Sequence, residues 1–491
     1  MRVRPSEPPR WTLEQVAEHL GVEAAGSAEV TGVSLDSRSV EAGDLYAALP
    51  GARAHGAQFV DQAVATGAVA VLTDARGAEL IGDVPHVVVD DPRARLADLS
   101  VAFYGRPTGA FTTVGITGTQ GKTTTTYLAE AALGRRRTAV VGTIGTRIGR
   151  VPADSSLTTP EAPALQALFS VMREESVEVC AMEVSSHALV QGRVDGFAFD
   201  VAVFLNLGRD HLDFHSSMDE YFAAKASLFT PEHARRAVVN VDDEHGRRLV
   251  ELTDLPTVTF SSDGRAADWR AVNVRPHRLG TDVEVLGPDG SETELHVPLA
   301  GVFNVSNALA AVAALATVGH DPAELAAGIA ASTGVPGRME RVAAGQDFTA
   351  IVDYAHKPEA VTAVLSALRP VTAGRLIVVL GAGGDRDHGK RPLMGAAASA
   401  LADVLIVTDD NPRSEPPATI RSEVLAGTQG SAEVREVGDR RAAIAEAVAM
   451  ARLGDTVVVA GKGHERGQEI DGVVHPFDDH QVLVELIEEH R

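Results

Sequence analysis

Residues 111–126 read FTTVGITGTQGKTTTT: a β-rich run, a glycine loop, and a Gly-Lys-Thr entry into an Ala-rich helical run. These residue types suit a nucleoside triphosphate. Gly118 and Gly121 let backbone N–H groups of the loop, Thr119 and Gln120 included, curl around a phosphate. Lys122 adds a point positive charge, and Thr123, followed by Thr124, offers a hydroxyl to Mg²⁺ at a helix N-terminus. The spacing departs from the usual form, which places a glycine five residues before the glycine of the Gly-Lys pair. Here that position is Ile116, and the glycines stand at 115 and 118. A plain glycine turn before a helix is the competing reading, and the strand-to-helix junction weighs against it.

A second group lies downstream. Glu183 ends the apolar run VEVCAMEV, His211 follows DVAVFLNL, and Lys225 sits in DEYFAAKASLF. A carboxylate and an imidazole near a triphosphate loop can hold Mg²⁺, with Thr123 as a further ligand. Ser217 and Glu220 have capping-box spacing and predict a helix start there. Taken alone, Lys225 reads as a solvated surface lysine, and His211 with His215 as either a zinc pair or polar loop residues.

The elements that must position these groups alternate. At 491 residues the chain exceeds what one hydrophobic core serves, and three domains are expected. Residues 1–107 mix short β runs with helices and close on the turn-rich YGRPTG. Residues 108–335 carry the strands TAVVGTIG, VEVCAMEV, DVAVFLNL and RAVVNVD between helices, which predicts a largely parallel, doubly covered sheet. The hinge-like ASTGVPGRMERV leads into residues 336–491, where four strands each end in a polar or glycine loop. In a doubly wound sheet such loops converge at the carboxyl edge, so 353–357, 381–386, 410–413 and 461–465 are expected to meet.

The net charge of −23 disfavours a nucleic-acid partner. Cys180, the single cysteine, reads as a buried strand thiol and excludes an intramolecular disulfide, which fits a reducing cytoplasm. The N-terminal MRVRPSEPPRW has no apolar signal core, and VSNALAAVAALATVG is too short to span a bilayer, so neither targeting nor membrane insertion is expected.

GTQGKTTTT, TTPEAP, MEVSSHALVQGRV, NLGRDHLDFHSSMDEYFAAKASLF, GVFNVSNALAA, PGRMERV, DYAHKPEAV, GGDRDHGKRPLM, DDNPRSE and AGKGHE occur in this order. Together they resemble the Mur ligase family, in its MurE type, over most of the chain. Gln120 stands where the family more often has Asn. The resemblance implies three α/β domains: an N-terminal UDP-binding domain, a central P-loop ATPase-type parallel-sheet domain and a C-terminal Rossmann-like domain. It implies a monomer that uses ATP to convert a glutamate carboxylate of UDP-N-acetylmuramoyl-L-alanyl-D-glutamate to an acyl phosphate, which an amine then displaces.

By the same resemblance Lys122 acts on the phosphates, and Lys225 is carbamylated by CO₂ to support the second of two Mg²⁺ ions. Glu183 and His211 match the other metal ligands. Leu35, Ser37, His55 and Gly56 would hold the UDP part, and Thr158, Thr159, Ser185, Gln191 and Arg193 the muramoyl-dipeptide. Asn304, Asn307, Arg338, Asp353 and His356 match positions around ATP. Arg386, Asp410, Asn411, Pro412, Arg413, Gly461 and Glu465 would take diaminopimelate, because Arg413 can clamp a second carboxylate that lysine lacks. The competing readings are ligation of L-lysine, a folylpolyglutamate-type ligase, and a nucleotide switch without ligase turnover.

Overall fold

The computed structural model describes residues 4–51, 54–134, 137–149, 151–153, 157–211 and 214–490. Two compact units emerge. The first comprises Met1–Arg270, Gly287–Asp289 and Leu309–Gly328, and the second Ala271–Leu286, Gly290–Ala308 and Ile329–Arg491.

Two larger sheets organise the first unit, beside a short antiparallel pair of Trp11–Thr12 with Glu29–Val30. The N-terminal one has five strands, ordered Ala24–Ala25, His86–Val88, Ala68–Thr73, Asp44–Ala47, Gly32–Ser34, parallel except for the first pair. A carboxylate within it, Asp44, is fully buried and is met by the Arg4 guanidinium through two bonds of 2.6 Å. The second sheet carries six parallel strands in the order Thr138–Gly142, Val179–Glu183, Thr112–Thr117, Val201–Phe204, Ala237–Asn240, Thr257–Ser261. Strands such as VCAME and VAVF are buried at every position, as expected when helices cover both faces. Cys180 lies on one of them, fully buried, and desolvation pushes its thiol up to about 12.

The strand Thr112–Thr117 is first in the chain but central in the sheet, with later strands on both sides. A crevice therefore opens at its carboxyl end. The next helix, Lys122–Leu133, begins after Gly121 at φ 85, where a side chain would be strained. Its threonines are poor helix formers, and their hydroxyls are absorbed by the preceding turn: Thr125 Oγ1 donates to Gly121 O at 3.0 Å and Thr126 Oγ1 to Thr123 O at 2.8 Å.

In the second unit the strands Gly280–Leu286 and Glu292–Val297 pair antiparallel, with more and less buried residues alternating along most of each. The parallel reading of residues 108–335 leaves this ladder out. Its side chains alternate because one face is wet. The main sheet is ordered Glu340–Val342, Thr349–Asp353, Thr456–Ala460, Leu376–Leu380, Val404–Val407, Glu433–Glu436, parallel except at the first pair. The four loops expected to meet do follow four adjacent parallel strands of this sheet.

A buried ion pair pins that edge. Arg440 and Asp479, both with fully buried side chains, are joined by bonds of 2.8 and 2.7 Å. Arg440 Nη2 also donates to Ala460 O at 3.1 Å and Nη1 to Asp409 O at 3.3 Å, tying two strand ends together. Removing one partner strands a buried charge. Arg440→Met is therefore expected to cost about 3–5 kcal/mol in urea unfolding, whereas Arg440→Met with Asp479→Leu recovers most of the loss.

Candidate active site

The phosphate loop is held in shape by its neighbours. Asn206, just past the strand Val201–Phe204, clamps the Gln120 backbone from both sides: Gln120 N donates to Asn206 Oδ1 at 3.0 Å, and Asn206 Nδ2 donates to Gln120 O at 3.2 Å. The backbone of Gln120 is what the fold grips, which accounts for tolerance of a departure in its side chain. Thr119 Oγ1 accepts from Gly208 N at 2.9 Å and lies 3.1 Å from the Tyr221 hydroxyl. Within the loop, Lys122 Nζ donates to Gly118 O at 2.7 Å and to Thr119 O at 3.2 Å.

Lys225 comes to the same carbonyl. It is no surface residue: it is 1% exposed, and its Nζ donates to Gly118 O at 3.0 Å and lies 4.7 Å from the centroid of the Tyr221 ring. Burial, reinforced by the Lys122 ammonium, holds its pKa well below the ordinary lysine value, and Asp210 opposes the shift without reversing it. The helix that carries it, Met218–Ala226, starts as half of a capping box. Ser217 Oγ accepts from Glu220 N at 3.1 Å, but the Glu220 carboxylate accepts from Ser216 N at 2.7 Å, one residue before the cap. The reciprocal bond of the expected box is thus displaced because Ser216 adds a hydroxyl donor as well.

Glu183 is 1% exposed and surrounded by neutral donors: Thr123 Oγ1 at 2.8 Å, Thr143 N at 2.8 Å and Thr143 Oγ1 at 3.1 Å. A Cβ at Gly142 would run into Glu183 Oε1, so the glycine makes room for the carboxylate. A buried carboxylate served by hydroxyls suits a hard cation. His211 stands at φ 52 beside Asp210, with Nε2 3.3 Å from Oδ2, and its ring meets His187 edge-on at 4.9 Å. The neighbouring His215 is buried and its Nε2 lies 2.9 Å from Ser186 Oγ, which favours a packing role over a zinc pair.

The residues expected to hold the muramoyl-dipeptide form one hydrogen-bonded chain with Glu183. Thr158 Oγ1 lies 3.1 Å from Thr143 Oγ1, Thr159 Oγ1 donates to Glu183 O at 2.8 Å, and Ser185 N donates to Thr159 Oγ1 at 3.1 Å. Arg193 Nη1 donates to Thr159 O at 2.9 Å, and Nη2 reaches Gln191 Oε1 at 2.6 Å and Glu161 Oε1 at 3.0 Å. The guanidinium thus already has a carboxylate partner in Glu161. In the N-terminal sheet region, Leu35 packs on the core and Ser37 Oγ donates to Gln62 Oε1 at 2.9 Å. His55 caps the turn Gly56–Phe59: Nδ1 accepts from Ala57 N at 3.0 Å and Nε2 lies 3.0 Å from Asp74 Oδ1, so both ring nitrogens serve the fold. Gly56 packs with its Cα face against the backbone, where a Cβ would lie 2.8 Å from Leu49 N.

In the second unit Asn304 and Asn307 are joined at 3.1 Å on the buried side of the helix Val302–Thr317. Asp353 accepts from Met339 N at 2.7 Å and Ala355 N at 2.8 Å, and burial raises its pKa. It thereby fixes the turn carrying Arg338, whose guanidinium lies 4.2 Å from the Tyr354 ring centroid. His356 packs on the same ring at 4.6 Å, and burial pulls its pKa to about 4.

The strand-end loops of this unit interlock. Arg413, at φ 54, donates through Nη1 to Gly384 O at 2.6 Å and through Nε to Glu469 Oε2 at 3.2 Å. Gly384 must lack a side chain, because a Cβ there would strike Pro412 O, and one at Gly461 would strike Asp410 Oδ2. Arg386 is exposed on the adjoining loop. A residue the sequence reading passed over binds the group together: Lys462, fully buried, donates to Asn411 Oδ1 at 2.9 Å and Glu465 Oε2 at 3.3 Å. Since Asn411 Oδ1 also accepts from Glu469 N at 3.0 Å, its Nδ2 is left to donate to Glu465 Oε2 at 2.8 Å. Arg391 was missed likewise. Its buried guanidinium holds Glu415 at 2.8 Å and Gly383 O at 3.1 Å, joining the GGDRD and DNPRSE loops. Both lie within motifs already quoted, AGKGHE and GGDRDHGKRPLM, which was the available signal.

Known proteins match this chain along most of its length. Three models match in order: the Mur ligase family catalytic domain at residues 29–104, the Mur ligase middle domain at 116–315, and the Mur ligase glutamate ligase domain at 337–463. The UDP-N-acetylmuramoyl-L-alanyl-D-glutamate--2,6-diaminopimelate ligase of Streptomyces coelicolor is 56% identical over 485 residues, covering 97% of this chain and 96% of that protein. A UDP-N-acetylmuramyl-tripeptide synthetase of Leifsonia xyli is 44% identical, covering 97% and 95%. A solved UDP-N-acetylmuramoyl-L-alanyl-D-glutamate--2,6-diaminopimelate ligase superposes with a TM-score of 0.68 at 34% identity, covering 94% of this chain and 95% of its own. With the phosphate loop, the buried lysine and the interlocked strand-end loops all present in one chain, it belongs to the Mur ligase family.

Proposed function

We propose that this chain joins diaminopimelate to the glutamate carboxylate of UDP-N-acetylmuramoyl-L-alanyl-D-glutamate, with ATP converted to ADP and phosphate. The 56%-identical relative named for this ligation supports it. The observation that carries the choice of amino acid is Arg413 beside the Asn411, Lys462 and Glu465 cluster. A guanidinium can take the far carboxylate of diaminopimelate bidentately, and the Glu465 carboxylate can take its far ammonium. Lysine offers no such carboxylate and would forgo that contact, and sites built on such polar contacts discriminate against the analogue lacking one by roughly 10⁴ or more.

Bound Mg²⁺ and ATP supply the phosphoryl group and the charge neutralisation that lets one anion attack another. Thr123, Glu183, His211 and a carbamate on Lys225 are the groups that would hold two ions. The buried, neutral amine of Lys225 can add to CO₂, forming an N–C bond and releasing one proton. Lys122 exchanges its two loop carbonyls for phosphate oxygens. Residence in a bacterial cytoplasm as a monomer accords with this reading, and no helix among the described residues is long and apolar enough to cross a membrane.

Phosphate release measured with the UDP-dipeptide and, in turn, meso-diaminopimelate, LL-diaminopimelate, L-lysine or no amine is expected to occur only with a diaminopimelate isomer. Equal turnover with lysine would refute the Arg413 argument, and turnover without any amine would favour a nucleotide switch. Lys225→Ala is expected to lower turnover by about 10²–10³, with Lys225→Glu recovering part of it by restoring a carboxylate. Unchanged turnover in Lys225→Ala would remove the carbamate.

A further inference from the structure

Away from the phosphate loop, the antiparallel ladder of the second unit sets three ligating side chains at one level. Asp282 and His296 face each other across the pair Gly280–Leu286 and Glu292–Val297, and His277 ends the strand before the turn into Gly280. His296 Nδ1 lies 2.8 Å from Asp282 Oδ1, and His277 Nε2 lies 3.5 Å from the same oxygen. The two imidazoles stack at 5.5 Å and 24°. One ligand atom from each residue falls within 4.8 Å of the others, and among the described residues this is the cluster that could hold a metal ion in this way.

We propose that His277, Asp282 and His296 form a binding site for one divalent transition-metal ion of the zinc class. The separations suit it. Metal–ligand bonds of about 2.0–2.2 Å, at angles between right and tetrahedral, place neighbouring ligand atoms roughly 2.8–3.6 Å apart, which takes in the two distances to Asp282. Two imidazole nitrogens and one carboxylate select zinc-like ions over Mg²⁺, which prefers oxygen and water. A second observation points the same way: His277 Nε2 is shielded from solvent and, beyond the long 3.5 Å approach to Asp282, has no closer polar partner. An ion would satisfy it.

Binding has a local cost. His277 Nδ1 accepts from Leu279 N at 3.2 Å, and coordination through Nε2 moves the ring proton to Nδ1 and displaces that bond. Leu279 lies on an exposed turn, where water replaces the lost partner. Gly280, at φ +150, sits close under the site: a Cβ there would strike Val297 O first and come 3.1 Å from His296 Cε1. The alternative is a cross-strand His–Asp pair that merely steadies an exposed sheet face.

Zn²⁺ titration of the full chain by calorimetry, in excess Mg²⁺, separates the two. The site predicts one zinc equivalent that is lost in His277→Asn/His296→Asn and weakened about 10–100-fold in Asp282→Asn, with ligase turnover unchanged in all variants. Zinc-edge anomalous diffraction from soaked wild-type crystals should place an ion among the three side chains. Identical zinc stoichiometry and affinity in the wild type and the double variant would overturn the proposal. So would the lack of micromolar binding by the wild type, or an anomalous peak only elsewhere.

Discussion

Two lysine side chains converge on a single carbonyl oxygen, Gly118 O, with Lys122 at 2.7 Å and Lys225 at 3.0 Å. A shared carbonyl offsets two neighbouring ammonium groups poorly, which favours the neutral form of the more deeply buried one. The buried one yields: Lys225 is depressed by desolvation first and by Lys122 second. Across the crevice, Glu183 is buried with hydroxyl and amide donors. Negative charge and neutral amine are thus held apart rather than spent on each other, and the site keeps its capacity for cations and phosphates. Only a parallel sheet whose first strand is central puts the ends of Thr112–Thr117, Val179–Glu183 and Val201–Phe204 side by side to achieve this.

The second unit uses charge differently. There, buried cations act as cross-braces between loops: Arg440 holds Asp479 and two strand-end carbonyls, Arg391 holds Glu415 and Gly383, and Lys462 holds Asn411 and Glu465. Each brace has its charge matched by a carboxylate, which keeps the desolvation cost bounded. The positive φ of Arg413 is sustained by this frame, with its backbone N donating to Glu469 O at 2.9 Å and its O accepting from Asp471 N at 2.7 Å. A strained arginine fixed in direction is suited to discriminating a carboxylate by position.

Much of this was legible in the sequence because strand, loop and helix are local. GTQGKTTTT announces its own turn, and four apolar runs ending in polar loops imply one shared edge. What escaped depends on contacts distant in the chain. Asn206 clamps Gln120 from 86 residues away, and Lys462 meets Asn411 across 51. No local pattern separates such residues from ordinary polar loop positions. The antiparallel ladder escaped because short alternating runs between Pro- and Gly-rich turns carry a weak signal beside the strong βα alternation. His55 shows the reverse. The family resemblance implied a ligand contact there, yet a tight turn and Asp74 already engage both ring nitrogens.

The account turns on the charge state of Lys225, and the direct measurement is its titration by NMR in protein labelled at lysine Cε, with Lys225→Arg assigning the resonance. A midpoint well below that of the other lysines, with a carbamate signal growing on addition of ¹³C-bicarbonate, is the predicted result. A midpoint in the ordinary lysine range, with no carbamate signal, would contradict it.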